Sequence, residues 1–251
     1  MTTPTQHPTL LLIPGYWLGE WAWEQVTDRL TALGHRAIPL TLPGLDPDDP
    51  QRASHTLDDQ AAAIEHAMDA AGASGQAPVI LVGHSGANAP ISMVLDRHPE
   101  LVARVVWVDS GPVSPADEAI PDGPELDELP LPPFDQLAAQ SSLDGLTPQM
   151  LDRFRQRAVP EPGPVIGASV PLRNDARRRV PTTLVCCSIL GRQVRELVAS
   201  GHPMFAEVAH LTDVQYVDLP TGHWPMWSRP DELARILAEV SRPAGDDDPQ
   251  M

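Results

Sequence analysis

Short apolar runs along the chain alternate with stretches of helical spacing. TLLLI (9–13), PVILVG (78–83), VARVVWVD (102–109), TTLVCCSI (182–189) and DVQYVDLP (213–220) are rich in β-branched residues, and each reads as a strand. HRAIPLTLPG (35–44) reads as a strand leading into a Pro-Gly loop. Between these runs the spacing changes. Residues 21–33 predict a helix stopped by Gly34, and 56–71 an Ala-rich helix capped by Ser54 or Thr56. Residues 86–97 and 230–240 predict two more, the last with a proline near its first turn. Strands that are apolar throughout, separated by helices, predict an α/β fold with a mostly parallel sheet covered on both faces.

One region breaks the rhythm. Residues 111–180 are proline-rich and carry two opposed charge runs, with seven acids and no base in 117–135 and seven arginines in 153–179. Two readings stand: a solvated, irregular insertion, or a small cap over the C-terminal edge of the sheet with the two runs partly paired. The tail AGDDDPQM (244–251) reads as disordered. With 251 residues, the chain suits one large α/β domain and is short for two.

Composition narrows the picture in three ways. A net charge of −17 removes any electrostatic reason to approach nucleic acid or an anionic membrane. The cysteines, Cys186 and Cys187, are adjacent, and neighbours in a strand point to opposite faces, so they predict free buried thiols in a reducing cytoplasm. The N-terminus lacks the positive start of a signal peptide, and TLLLI is too short to span a bilayer.

The chemistry is concentrated in VILVGHSGANAP (79–90). A strand ends at Gly83, Ser85 follows, and a helix starts at once. This is the G-x-S-x-G elbow with Ala87 in place of the last glycine. Small residues on both sides permit a sharp turn that lifts the serine hydroxyl above the sheet, at a helix N-terminus.

LLIPGYWLGEWAW (11–23), TLPG (41–44), GHSGA (83–87) and TGHWPMWSRPDEL (221–233) together resemble the α/β-hydrolase superfamily over nearly all of residues 8–240. Within it, the chain is most similar to small esterases of the methylesterase and hydroxynitrile-lyase kind and their bacterial relatives. The resemblance implies a Ser, acid, His order along the chain, with Ser85 as nucleophile and His223, just past the last strand, as general base. His202 and His210 precede that strand and are poorer candidates. His84 either packs or lines the pocket wall. The resemblance also implies an oxyanion hole from the amides of Gly86 and, in the loop where relatives carry His-Gly and this chain Pro14-Gly15, Tyr16. Trp17 and Trp224 are expected to wall an apolar substrate pocket, and Trp21 and Trp23 to be core.

The acid is not where it is commonest. CCSILGRQ, after the penultimate strand, has no carboxylate; Glu196 sits in a helical stretch, and Asp218 lies within the last strand, close in sequence to His223. Asp109, at the end of the strand after the serine's helix, remains, and some members of the superfamily carry the acid there. The expected protein is a cofactor-independent serine hydrolase acting on a small ester or lactone, with no metal site. The competing readings are a hydroxynitrile-lyase-type lyase on the same scaffold and a non-catalytic ligand-binding relative, which a missing acid favours. Dehalogenase chemistry needs a carboxylate at the elbow, where this chain has Ser85.

Overall fold

Six parallel strands form the central sheet of the protein in a computed structural model that describes residues 7–114 and 127–242. Along the chain these are β1 (Leu10–Ile13), β2 (Ala37–Pro39), β3 (Val79–His84) and β4 (Val102–Val108), then β7 (Thr182–Cys186) and β8 (Val214–Asp218). A small antiparallel ribbon of β5 (Glu128–Leu129) and β6 (Glu161–Pro162) intervenes. The order across the sheet is β2-β1-β3-β4-β7-β8, every neighbour parallel. The helices are α1 (Glu24–Ala32), α2 (Leu57–Ala71), α3 (Asn88–Arg97), α4 (Phe134–Leu137), α5 (Pro148–Arg157), α6 (Gly163–Ile166), α7 (Gly191–Ala199), α8 (Pro225–Ser228) and α9 (Pro230–Val240).

The continuous apolar runs are explained by two cores, one on each face. Successive strand residues point to opposite faces. Leu10, Leu12, Ile80 and Val82 pack with Val26 and Leu30 of α1 and with Leu233 and Leu237 of α9. Leu11, Ile13, Leu81 and Trp107 pack with Ile64 and Met68 of α2 and with Ile91 and Val94 of α3. Local signals set the helix ends. Thr56, not Ser54, caps α2: its hydroxyl accepts from the Asp59 amide at 3.2 Å, and the Asp59 carboxylate accepts from the Thr56 amide at 2.8 Å. The strand expected over 182–189 ends at Cys186, because the next two amides leave the ladder for a side chain, described below.

The segment between β4 and β7 contains short elements rather than none. One residue anchors it: Phe154 of α5 is fully buried among Trp17, Trp224 and Trp227, with ring centroids 6.4, 5.4 and 5.1 Å away. Burying such a ring contributes about 2–3 kcal/mol. The expected pairing of the two charge runs does not occur among the described residues. Arg153 and Arg157 pair with Glu24; Arg177 and Arg178 pair with Glu207. Glu128 instead pairs with Arg52. These arginines reach acids on the main body of the fold. The disordered tail expected at 244–251 falls outside the described residues.

Two backbone bonds tie this segment to the loop after β8: Gly222 N–H donates to the Asp144 carbonyl at 3.1 Å and His223 N–H to the Ser142 carbonyl at 2.8 Å. A Cβ on Gly222 would lie 2.5 Å from the Asp144 oxygen, so only glycine permits this approach.

Phe154→Ala is therefore expected to lower unfolding free energy by about 3–5 kcal/mol. Arg157→Ala, which removes an exposed pair, should cost about 1 kcal/mol or less. Denaturant titrations of the two variants check the contrast.

Candidate active site

Five loops meet at the C-terminal edge of the sheet, following β1, β3, β4, β7 and β8. Among the described residues three non-glycine residues have positive φ, and all three lie here: Ser85 at 51°, Asp109 at 46° and Trp17 at 68°. Such conformations cost about 1–3 kcal/mol each and persist only where their surroundings over-determine them.

At the elbow after β3 the surroundings are tight. A Cβ on Gly15 would lie 2.7 Å from the Ser85 Cβ, and one on Gly86 2.5 Å from the Tyr16 ring. Ala87 is buried and fits where the elbow motif has glycine. Ser110 Oγ donates to the Ser85 carbonyl at 2.8 Å, which holds the turn from the β4 side.

Asp109 is the most heavily bonded side chain of the site. Its amide donates to the Val185 carbonyl at 2.9 Å, which continues the sheet ladder. Its Oδ1 accepts from the amides of Cys187 at 3.1 Å and Ser188 at 2.8 Å. Its Oδ2 accepts from Ser188 Oγ at 2.6 Å and lies 2.6 Å from His223 Nδ1. Burial pushes its pKa up, but the hydrogen bonds from His223 and Ser188 and the pull of the imidazole outweigh it, leaving the carboxyl below its usual range.

His223 completes a line. Its Nε2 is 2.8 Å from Ser85 Oγ. With Asp109 accepting the Nδ1 proton, Nε2 is the unprotonated nitrogen facing the hydroxyl. The structure thus brings together Ser85, His223 and Asp109, and leaves Glu196 and Asp218 elsewhere. Asp218 accepts from the Gly191 amide at 2.6 Å, and Glu196 pairs with Arg192 on the surface of α7.

A cavity of about 430 Å³ opens beside Ser85. Tyr16, Gly86 and His223 line it, and its apolar wall includes Val113, Cys186, Ile189, Val194, Met204 and Phe205. Trp17 and Trp224, expected in the pocket wall, and His84, expected to pack or to line it, are not part of it. Trp17 and Trp224 close on Phe154, and the Trp17 indole N–H donates to the Leu129 carbonyl at 2.9 Å. His84 is buried, and its Nε2–H donates to the His223 carbonyl at 2.7 Å. Burial first, and then the neighbouring His223, push its pKa down to about 3, so this imidazole is neutral. Burial also lifts the Cys186 thiol to about 12 and keeps it protonated. Among the described residues no three His, Cys, Asp or Glu side chains are grouped to hold a metal ion. No helix among them is long and apolar enough to cross a membrane.

Sequence reasoning missed Ser188, Ser142 and Glu161. Ser188 lies in CCSILGRQ, the stretch searched for an acid, and serves the acid of the neighbouring strand instead. Glu161 is 1 % exposed and lies behind the Tyr16–Trp17 turn. Burial raises its pKa to about 7, against the Gln60 amide and the Trp17 backbone N–H, which favour the charge. Its signal, one acid in a proline-rich run, is indistinguishable from a surface residue.

Residues 10–236 match the alpha/beta hydrolase family, and the chain belongs to it. It is a hydrolase of the alpha/beta fold. The carbendazim hydrolyzing esterase of Nocardioides sp. is 28 % identical over 249 residues, covering 92 % of this chain and 98 % of that protein. Esterase PIR7B of rice, Oryza sativa subsp. japonica, is 32 % identical over a shorter stretch of 100 residues, 39 % of this chain and 37 % of its own length. Among solved structures, an extracellular alpha/beta-hydrolase from a Paenibacillus species superimposes with a TM-score of 0.71 at 18 % identity, covering 94 % of this chain and 100 % of that one.

Glu161 makes stability depend on pH. Its folded-state pKa lies above the ordinary value of 4.5, so folding favours its protonated form. That contribution is complete below about 4.5 and lost as pH rises through about 7. Glu161→Gln should remove a decline on the order of 1–3 kcal/mol over this window, read from unfolding curves at a series of pH values.

Proposed function

We propose that the protein is a serine hydrolase that cleaves a small carboxylic ester or lactone through an acyl-enzyme. The observation that carries this reading is the unbroken line Ser85 Oγ, His223 Nε2, His223 Nδ1, Asp109 Oδ2, with links of 2.8 and 2.6 Å. Ser85 Oγ attacks the ester carbonyl carbon while its proton passes to His223 Nε2. Asp109 holds the Nδ1 proton, fixing the tautomer, and stabilises the imidazolium that forms. The developing oxyanion is met by the amides of Tyr16 and Gly86. Collapse breaks the bond to the alkoxide, which takes the proton back from Nε2. Water then repeats the sequence on the acyl-enzyme and releases the acid. No cofactor enters any step.

The esterase names of the relatives support the ester class, and the apolar wall supports an apolar substituent next to the reacting carbonyl. The non-catalytic reading drew its support from a missing acid; Asp109 bonded to His223 removes that support. No observation favours the lyase. The buried free thiols suit a reducing compartment, so we place the protein in the cytoplasm.

Labelling with a fluorophosphonate probe tests the mechanism. Wild type should be labelled and turn over a panel of esters; Ser85→Ala should do neither while remaining folded, and persistent labelling of that variant excludes Ser85. Asp109→Asn should lower turnover by roughly 10²–10⁴ at equal folded fraction. Asp218→Asn and Glu196→Gln should stay near wild type, and a large loss in either reassigns the acid.

The specificity wall comes from the loops after β4 and β7 and from the turn Pro203–Phe205; from 127–180 none of the lining residues is drawn. Phe205→Ala should shift kcat/KM toward bulkier esters by about tenfold or more, measured on an acyl-chain series. An unchanged ranking places the acyl group elsewhere.

A further inference from the structure

His84 has no part in the mechanism above, yet it meets both partners of the proton transfer. It is the last residue of β3 and the chain neighbour of Ser85. Its side chain is buried, and its Nε2–H donates to the main-chain carbonyl of His223 at 2.7 Å, across 139 positions of sequence. Its ring centroid lies 4.8 Å from that of His223, with an interplanar angle of 46°, and 6.4 Å from that of Trp224. The loop after β1 closes against it as well: a Cβ on Gly15 would lie 3.1 Å from His84 Nδ1 and 2.9 Å from the His84 carbonyl oxygen.

We propose that His84 is a positioning residue: through the His223 carbonyl it sets the main chain of the general base against the elbow, so that His223 Nε2 stays in reach of Ser85 Oγ. The inference rests on the serine-hydrolase reading.

His223 has two other holds. Its amide donates to the Ser142 carbonyl at 2.8 Å, and its Nδ1 lies 2.6 Å from Asp109 Oδ2. Ser142 belongs to the segment between β4 and β7, and Asp109 follows β4. Neither hold starts from the strand that carries the nucleophile. The hold from His84 does, because its donor and Ser85 are consecutive residues. A displacement of about 1 Å between reacting groups costs on the order of 10²-fold in rate, so a direct tie between the two loops matters.

The same bond fixes the proton on His84. A carbonyl only accepts, so Nε2 carries hydrogen, and in the neutral ring Nδ1 then holds a lone pair. Nδ1 is buried with no hydrogen-bond partner among the described residues. A second proton there would be a buried donor without an acceptor, beside an imidazole that becomes positive during attack, and both effects oppose it. The low pKa of His84, set first by burial and then by His223, runs in the same direction. His84 thus stays a neutral donor while His223 gains and returns its proton.

Wild type, His84→Leu and His84→Gln are compared at equal folded fraction. Leucine fills the site without a donor, whereas glutamine carries an amide N–H at a reach similar to the imidazole Nε2–H. His84→Leu should lower kcat by about 10–100-fold while KM moves less than about threefold, and should slow fluorophosphonate labelling in parallel. His84→Gln should recover kcat to within about fivefold of wild type. In wild-type protein carrying isotopically labelled histidine, the ring-nitrogen shifts of His84 should report the Nε2–H tautomer and not titrate from about pH 5 to 9. The proposal is overturned if folded His84→Leu keeps the wild-type kcat, or if both variants lose kcat equally, which makes the role one of packing. An Nδ1–H tautomer, or titration within that range, overturns it too, and this readout needs no variant to fold. Failure of the probe to label wild-type Ser85 defeats the hydrolase reading instead, and the His84 tautomer still decides whether its bond to His223 exists.

Discussion

The arrangement at the sheet edge depends on the Asp109 carboxylate and the four donors it collects. A carboxylate so far out of water is tolerable only when its oxygens are occupied. Two donors are the backbone amides just past the end of the neighbouring strand, one is the Ser188 hydroxyl, and one is His223. These bonds end β7 at Cys186, and they fix the loop after β7, the loop after β8 and the turn after β4 relative to one another. The same bonds keep the carboxyl ionised, which is the state that orients the imidazole. Structural and chemical demands coincide on one side chain, and its left-handed backbone is the cost.

The segment between β4 and β7 acts on the site from behind. Beyond Asp109 to Val113, directly after β4, its described residues contribute none of the cavity wall. Instead Phe154 draws Trp17 and Trp224 together, Ser142 and Asp144 bond the backbone around His223, and the β5–β6 ribbon grips the Tyr16–Trp17 turn. Its connections run to the two loops farthest apart in sequence. A region of irregular composition thus serves as a brace, held by one buried ring more than by its many exposed ion pairs.

Much of the framework was legible in the residues. The strands were visible because a doubly covered parallel sheet demands unbroken apolar runs, and Ser85 because a sharp strand-to-helix turn demands small neighbours. Trp21 and Trp23 are core as expected, but Trp17 and Trp224 close on Phe154 instead of walling the cavity: aromatic residues near a site in sequence suit a wall and a core equally, and only packing separates the two.

By itself the sequence determined the sheet, its two covering layers and the order in which the site's residues occur, since these follow from periodicity and local turn chemistry. Tertiary structure decided that Asp109, left by elimination, does meet His223, that Ser188 bonds it from the loop after β7, and that Glu161 is buried. Both contacts of Asp109 pair residues tens of positions apart or more on different loops. Their contact depends on strand register and loop path, which no local pattern encodes.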